Sequence, residues 1–516
     1  MLMPMFSLLL FLFFLVLLLQ KMQKQKQRLQ LPPGPRKLPI IGNLHQIGAV
    51  PHQSFAEMSK KHGPVMLVHL GFVPTLIVSS AEAAKELLKA HDLDCCSRPP
   101  STGTGKLSYN YLDVALTAYG DYWREMRRLY VIELLSIKRV QSFRFVREEE
   151  VEFLLKSISE FSKLGTPVNL SEKLLSLTTN ITCRVAFGKS FRERGYDDFG
   201  ADFEEVIHEA FAMMGCFAAA DFFPYFGWIV DRITGLQKRL ERNFKKLDAF
   251  FQKVLDDHLC SDRRITEEEH EDIIDALIKI GKYKTASGTE KITHNHIKAI
   301  LMDLFLGGSD STAISTTWAM AELAKNPRVM KKAQEEIRNS VGNKGKVLET
   351  DIEKLSYLKA VVKENWRLHP PGTLLLPREA ITRFNISGYT IDPKTRIQVN
   401  IWAIGRDPNV WENPQEFYPE RFLDGPIDFK GQHYEFLPFG GGRRICPAIH
   451  KAVAIVELTL ANLLYCFDWK LPEGMTEEDI CMEEEAGTTV HKKVPLKLIP
   501  VEYQCSSENK SLFTCI

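Results

Sequence analysis

The sequence predicts a mainly α-helical protein with minor β structure: one large helical domain carrying small sheets, preceded by an apolar N-terminal helix. Three observations lead there. Helix-period patterns dominate from Ala81 onward, whereas strand-like alternation is confined to short runs such as "VMLVHLGFVPTLIVSS". The 516 residues hold no repeat and no long linker, only short polar stretches from Lys282 to Lys291 and Val341 to Lys346. A composition of 45% hydrophobic and 25% charged residues is that of a globule with a sizeable core. The formal charge of +1, from 66 basic and 65 acidic residues, gives no reason to expect a nucleic-acid partner.

Residues 1–19, "MLMPMFSLLLFLFFLVLLL", carry no charged side chain, and about 20 apolar residues cross a hydrocarbon core of roughly 30 Å. Residues 1–20 therefore read as an uncleaved transmembrane anchor. A signal peptide is disfavoured because the positive charge follows the apolar run and no small-residue cleavage site succeeds it. Lys21, Lys24, Lys26 and Arg28, with no acidic residue among them, hold the remainder on the cytoplasmic side. Residues 21–37 read as a basic, proline-rich hinge, since Pro32, Pro33 and Pro35 cannot continue a helix. Residues 38–503 form the main domain, and 504–516 a disordered tail. In the reducing cytosol the ten cysteines are not expected to pair, and none lies in a C-x-x-C or Cys/His cluster suited to zinc.

Within the domain the longest helical signal is "THNHIKAILMDLFLGGSDSTAISTTWAMAELAKNP", with Thr293 as N-cap and Asn326-Pro327 as stop. Gly307 and Gly308 interrupt it, each costing about 0.8–1.0 kcal/mol relative to alanine. Either another helix crosses closely there, or the helix opens and hydroxyls displace its backbone bonds. In "KENWRLHPP", Glu364 and Arg367 share a helix face. Alone they read as a surface pair; Arg421, in "NPQEFYPERF", is a cation that could reach a buried carboxylate.

"PFGGGRRICPAIH", Pro438 to His450, lacks the Lys-Ser/Thr or G-x-G-x-x-G pattern of a phosphate loop. A Cys446–His450 nucleophile pair is weakly supported. A single thiolate at a helix mouth, with glycines bringing backbone close and arginines to balance anions, better suits a flat anionic metal cofactor. Haem takes one axial thiolate and carries two propionates.

The run Phe439-x-x-Gly442-x-Arg444-x-Cys446 resembles the haem-binding signature of the cytochrome P-450 superfamily. The glycine-broken helix resembles that family's oxygen-binding helix, Glu364-x-x-Arg367 its Glu-x-x-Arg, "PERF" its third structural member, and Trp123-x-x-x-Arg127 its propionate-contacting helix. The anchor and "PPGP" resemble microsomal members, and "RPP", "YGDYWR" and "WENPQEFYPERF" resemble plant enzymes of specialised metabolism. The resemblance implies a cytochrome P-450 fold binding haem b, with Cys446 as the axial ligand of the iron. It assigns Trp123, Arg127, Arg378, Phe439 and Arg444 to haem binding, and Glu364, Arg367 and Arg421 to a structural network. Asp310 and Ser311 match an acid–alcohol pair that relays protons, with Thr312 as a possible sharer of that role. Two positions depart from the pattern: Ser311 replaces the usual threonine, and Ala448 the usual glycine.

The activity so implied is monooxygenation of a small, mostly apolar metabolite with O2 at the endoplasmic reticulum membrane. No Rossmann fingerprint or flavin module is present, so electrons come from an NADPH-dependent cytochrome reductase, with cytochrome b5 as a second candidate donor. Arg443 and basic residues on its face are candidates for meeting the reductase. "GTLLLP" from Gly372 and Thr488-Thr489 are expected around the pocket, and Phe211 to Trp228 reads equally as pocket cover or as a segment that dips into the membrane or simply packs. Terpenoid, alkaloid, phenylpropanoid and amino-acid-derived substrates fit equally. An oxygen-independent haem-thiolate isomerase or dehydratase, acting for example on an oxime, is the alternative; a non-catalytic haem sensor comes last.

Overall fold

Val65–Leu70 (β1), mostly apolar, and Val73–Val78 (β2), rich in β-branched residues, pair antiparallel as the predicted hairpin, from Val65↔Val78 to Leu70↔Val73. Gly71 turns it at φ +61°, where a Cβ would meet the Phe222 carbonyl oxygen at 2.5 Å. In this computed structural model the described residues are 30–190, 200–215, 217–260, 271–282, 292–485 and 487–503. The expected anchor at 1–20, residues 21–29 of the expected hinge and the tail 504–516 lie outside them. The proline segment that is described lies along β1, the Leu67 N–H donating to the Pro33 carbonyl at 2.8 Å.

The sheet grows by long-range pairing. Arg378–Glu379 (β3) and Arg396–Val399 (β4) extend it in the order β1-β2-β4-β3, with β2 and β4 parallel from Thr75↔Arg396 to Val78↔Val399. A second sheet joins Val168–Asn169 to Lys497–Glu502 and Phe467–Lys470. The rest is chiefly helical, as the sequence predicts. The helices that build the site are α1 (Asp121–Leu129), α2 (Leu170–Phe187), α3 (Gly200–Gly215), α4 (His294–Gly308), α5 (Asp310–Lys325), α6 (Ser356–Leu368) and α7 (Ile449–Cys466). Their apolar faces meet in one large core that includes Trp123, Phe187, Phe305, Trp366 and Leu460. Each such side chain contributes about 1.5–3 kcal/mol by leaving water. Apolar α7 is long enough to cross a membrane, but 72% of it is buried inside the domain.

The long helix expected from Thr293 to Asn326 is divided at Ser309 into α4 and α5. Thr293 caps it with His296 in a reciprocal box, and Asn326 ends it, as the sequence indicates. Hydroxyls after the glycines bond back one turn: Ser311 Oγ to the Gly307 carbonyl at 2.8 Å and Thr312 Oγ1 to that of Gly308 at 3.0 Å. A Cβ on Gly307 would meet nothing within 4 Å, and one on Gly308 would meet Lys451 Nζ at 3.1 Å. The hydroxyl bonds agree with the opened-helix reading, while Gly308, unlike Gly307, also makes room for a side chain of the neighbouring α7.

Glu364 and Arg367 on α6 are both 0% exposed, so the surface-pair reading of the sequence gives way to a buried network. Arg367 donates twice to Glu364, at 2.8 and 2.7 Å, and to the carbonyls of Gly405, Pro414 and Glu416. Glu364 also accepts from Tyr418 N–H and Arg421 Nε. Every donor and acceptor of the pair is thus used, which is the condition for burying it.

Candidate active site

The loop from Pro438 wraps tightly because Gly440 and Gly442 adopt φ +72° and +65°. A Cβ on Gly442 would stand 2.5 Å from Asp92 Oδ1. Asp92 instead accepts from the Arg443 N–H at 2.9 Å and from Arg378 at 2.7 Å, so one carboxylate pins the loop to the sheet. The Cys446 N–H closes the loop on the Phe439 carbonyl at 3.0 Å, and Phe439 packs edge-on against Trp366 and Phe429.

Cys446 thereby sits just before α7, at the positive end of that helix. The Ala448 N–H points at its sulfur from 3.4 Å. Ala448 itself has φ −100°, an ordinary value that demands no glycine. Burial pushes the Cys446 thiol up, against the pull of the Ala448 N–H and the Arg127 charge; a bound metal cation deprotonates such a thiol outright. Among the described residues it is the one cysteine on the wall of a cavity of about 340 Å³, and the described cysteines form no disulfide.

The cavity joins two chemistries. Beside the thiol, Arg127, Arg378 and Arg444 converge with a fourth arginine, Arg98, to which the sequence reading gave no role. Arg98 donates to the carbonyls of Ala115, Leu376 and Pro377. Arg444 stacks over Trp123 with 4.2 Å from guanidinium to ring and donates to Cys96, Val114 and Thr117 carbonyls. Trp123 Nε1–H is committed to the Val114 carbonyl, and Arg127 to that of Ile445. Burial first, then the neighbouring guanidiniums, pull Arg98 well below its ordinary value; burial foremost draws Arg444 down to about 10. Of these four, only Arg378 is in ion-pair contact with a carboxylate among the described residues, that of Asp92. Buried cations held by carbonyl dipoles alone favour an anionic ligand. A lone thiol facing a largely apolar cavity, with surplus guanidinium charge in its wall, fits haem.

The opposite wall is the helix break. Gly307, Gly308, Ser311 and Thr312 reach the cavity, as do Met214, Gly372, Leu375, Thr488 and Thr489 from the regions expected around it. Of the described residues in the aromatic segment only Met214 reaches the wall; Phe217, Tyr225, Phe226 and Trp228 are exposed, Tyr225 and Phe226 packing against Phe72 at the β1–β2 turn, which is the second of the two readings the sequence left open. Asp310, expected as partner of Ser311, turns away from the cavity. Ser311 spends its proton on Gly307, while Asp310 accepts from Thr489 Oγ1 and His491. Asp113 and Asp303, also unassigned from the sequence, meet in the wall and bond to each other, burial and mutual charge raising Asp113 far above the carboxylate range. Asp303 further accepts from Tyr130 Oη and the Val114 N–H, both at 2.8 Å, tying the 113–117 loop to α4.

The sequence model of the family described as Cytochrome P450 matches residues 32–499. The chain belongs to the cytochrome P450 family. Cytochrome P450 71B34 of Arabidopsis thaliana is 54% identical over 472 residues, covering 92% of this chain and 93% of the relative. Cytochrome P450 71B10 of the same plant is 54% identical over 474 residues, covering 91% and 93%. A zebra fish cytochrome P450 solved with abiraterone superposes with a TM-score of 0.74 at 25% identity, over 89% of this chain and all of that one. A zebra fish cytochrome P450 solved with progesterone gives 0.75 at 25% identity, over 88% and 100%. The protein is thus a cytochrome P450 monooxygenase of plant type, and members of this family bind haem, use a redox partner and O2, and take small substrates.

One cavity residue is unusual for such a site. Lys451 on α7 is buried, donates to Thr182 Oγ1 at 3.2 Å, and is pushed down to about 8 by burial, then by Arg147. At pH 7 the amine is charged in the folded chain, so burial opposes folding. Between about pH 8 and the unfolded value the native amine sheds its proton first, and stability rises with pH. Lys451→Met is expected to stabilise the protein by about 1–3 kcal/mol at pH 7 and to flatten that rise. Urea unfolding at pH 7 and 9.5 measures both.

Proposed function

We propose that this cytochrome P450 holds haem b through Cys446 and inserts one oxygen atom from O2 into a small, mostly apolar specialised metabolite, with electrons from an NADPH-dependent reductase. The observation that carries this reading is the single thiol set against the guanidinium cluster on one cavity wall. When bound, haem supplies the iron at which O2 is activated, and its thiolate ligation favours O–O cleavage, as is general for cytochromes P450.

The chain's own residues do the rest. The Ala448 N–H and the start of α7 favour the thiolate at Sγ. Arg98, Arg127, Arg378 and Arg444 supply cations for two propionates. Leu116, Met214, Met302 and Leu375 present an apolar surface to substrate, which supports a terpenoid, alkaloid, phenylpropanoid or amino-acid-derived ligand over a highly charged one. Ser311 and Thr312 offer hydroxyls beside the opened helix. Arg443, half exposed on the loop, offers a cation to an acidic reductase or cytochrome b5 face.

The same reading places the protein on the endoplasmic reticulum, anchored by residues 1–20 with its domain in the cytosol. Exposed apolar side chains support it: Phe72 at the β1–β2 turn meets Tyr225 and Phe226 with ring centroids 5.8 and 6.3 Å away, and Trp228 and Ile233 on the helix that follows are exposed as well.

The test is expression of the full chain with a flavoprotein reductase in microsomes, a screen of apolar metabolites for a substrate-induced spin shift, and turnover under labelled O2. One labelled oxygen per product, only with NADPH, is expected. Unlabelled product formed anaerobically overturns the reading in favour of isomerisation or dehydration.

A further inference from the structure

Asp310 does not face the cavity, yet it is only 2% exposed and its Oδ2 receives two hydrogen bonds at once. One comes from Thr489 Oγ1, which stands on the cavity wall. The other comes from His491 Nε2 at 3.1 Å, and His491 is 43% exposed. A titratable group in contact with water is therefore two hydrogen bonds from a cavity hydroxyl, through one buried carboxylate.

The segment is fixed where this requires. The Val490 carbonyl accepts from Trp318 Nε1 of α5 at 3.1 Å, and the Val490 N–H donates to the Pro371 carbonyl at 3.0 Å. His491 also sits opposite Glu485 in a short antiparallel pairing. The charged groups facing its ring are thus Asp310 on α5 and Glu485 on the neighbouring strand. Lys492 turns the other way, bonded to the Cys481 carbonyl and lying 4.8 Å from the Trp318 ring.

We infer that His491, Asp310 and Thr489 form the proton path from solvent into the cavity, with His491 as the solvent-side donor and Thr489, in place of Ser311, as the hydroxyl that delivers. His491 passes its Nε2 proton to Asp310 Oδ2 and regains one from water. Thr489 Oγ1, after rotating, gives its own proton to an acceptor in the cavity and takes that of Asp310. One proton moves inward per cycle and no electron is transferred. Burial pushes His491 down, but the hydrogen bond and charge of Asp310, with the charge of Glu485, lift it above its ordinary value, which favours the protonated, donating ring.

This rests on the monooxygenase reading, and the experiment separates the two. In the reduced, carbon monoxide-bound holoprotein labelled with 15N-histidine, His491 is expected to titrate above 6.5 and to fall in Asp310→Asn. In microsomes with reductase and NADPH but no added substrate, His491→Gln is expected to slow O2 reduction to water roughly tenfold, raise the released fraction of hydrogen peroxide, and remove the alkaline fall of the rate. Glutamine keeps a donor to Asp310, so a purely structural role would leave that pH profile unchanged. Thr489→Val is expected to reproduce the peroxide increase with the carbon monoxide spectrum intact, whereas Ser311→Ala is expected to change it less. A wild-type rate and pH profile in His491→Gln, or a His491 titration indifferent to Asp310→Asn, overturns the path. Absence of any NADPH-driven O2 consumption by the wild type overturns the monooxygenase reading and the path's role together, while the titration alone reports on the contact.

Discussion

Cys446→Ser is expected to fold with near-native secondary structure and to lose the thiolate-type carbon monoxide difference spectrum completely, together with all reductase-driven turnover. Serine keeps the size of the side chain and leaves the loop's closing bond from the Cys446 N–H to Phe439 untouched, so the effect isolates the sulfur. No neighbouring group can take its place: among the described residues no other cysteine reaches the cavity wall. Absorbance of the reduced protein under carbon monoxide decides the point, with circular dichroism reporting the fold. A thiolate-type band in the variant would remove Cys446 from the centre of the site.

Glu364→Ala is expected to cost about 3–5 kcal/mol, a large part of the roughly 5–15 kcal/mol that holds an ordinary domain together. The loss comes from stranding Arg367, fully buried, with three carbonyls but no counter-charge. Arg421 and the Tyr418 N–H lose their acceptor as well. Soluble yield and the denaturation midpoint should both fall sharply. The double change Glu364→Gln with Arg367→Met is expected to cost less than Glu364→Ala alone, because Arg367 is then not left as a buried charge without its partner. Equal costs would show that the carbonyl contacts, and not the charge balance, carry the network.

What could be read from the chain follows the range of the interaction. The hairpin at Val65–Val78, the caps at Thr293 and Asn326 and the loop around Cys446 are written in adjacent residues, and each is found where its local chemistry puts it. The division at Ser309 was half legible: the glycines announced a weak point, but only Lys451, brought alongside from α7, shows what Gly308 makes room for. Partner choice was not legible. Asp310 beside Ser311 reads as a pair in one dimension, yet successive helical side chains diverge by about 100°, so one meets the cavity and the other meets His491 from 181 positions away. Arg98, Asp113 and Asp303 are ordinary polar residues until tertiary packing strips them of water. The aromatic run near Trp228 has the composition of a pocket wall and the location of an exposed patch, and composition alone does not tell those apart.

The parallel register of β2 with β4 sets a clock on the ribosome. Thr75 meets Arg396 across roughly 320 residues of chain, and at about 5–20 residues per second the first hairpin waits roughly 15–65 s for its neighbour to be made. During that interval Leu76 and Val78, fully buried in the finished protein, have no sheet on one side. The nascent chain is then a client for chaperones, and slowing synthesis ahead of β4 should lower the yield of active enzyme without altering a single amino acid.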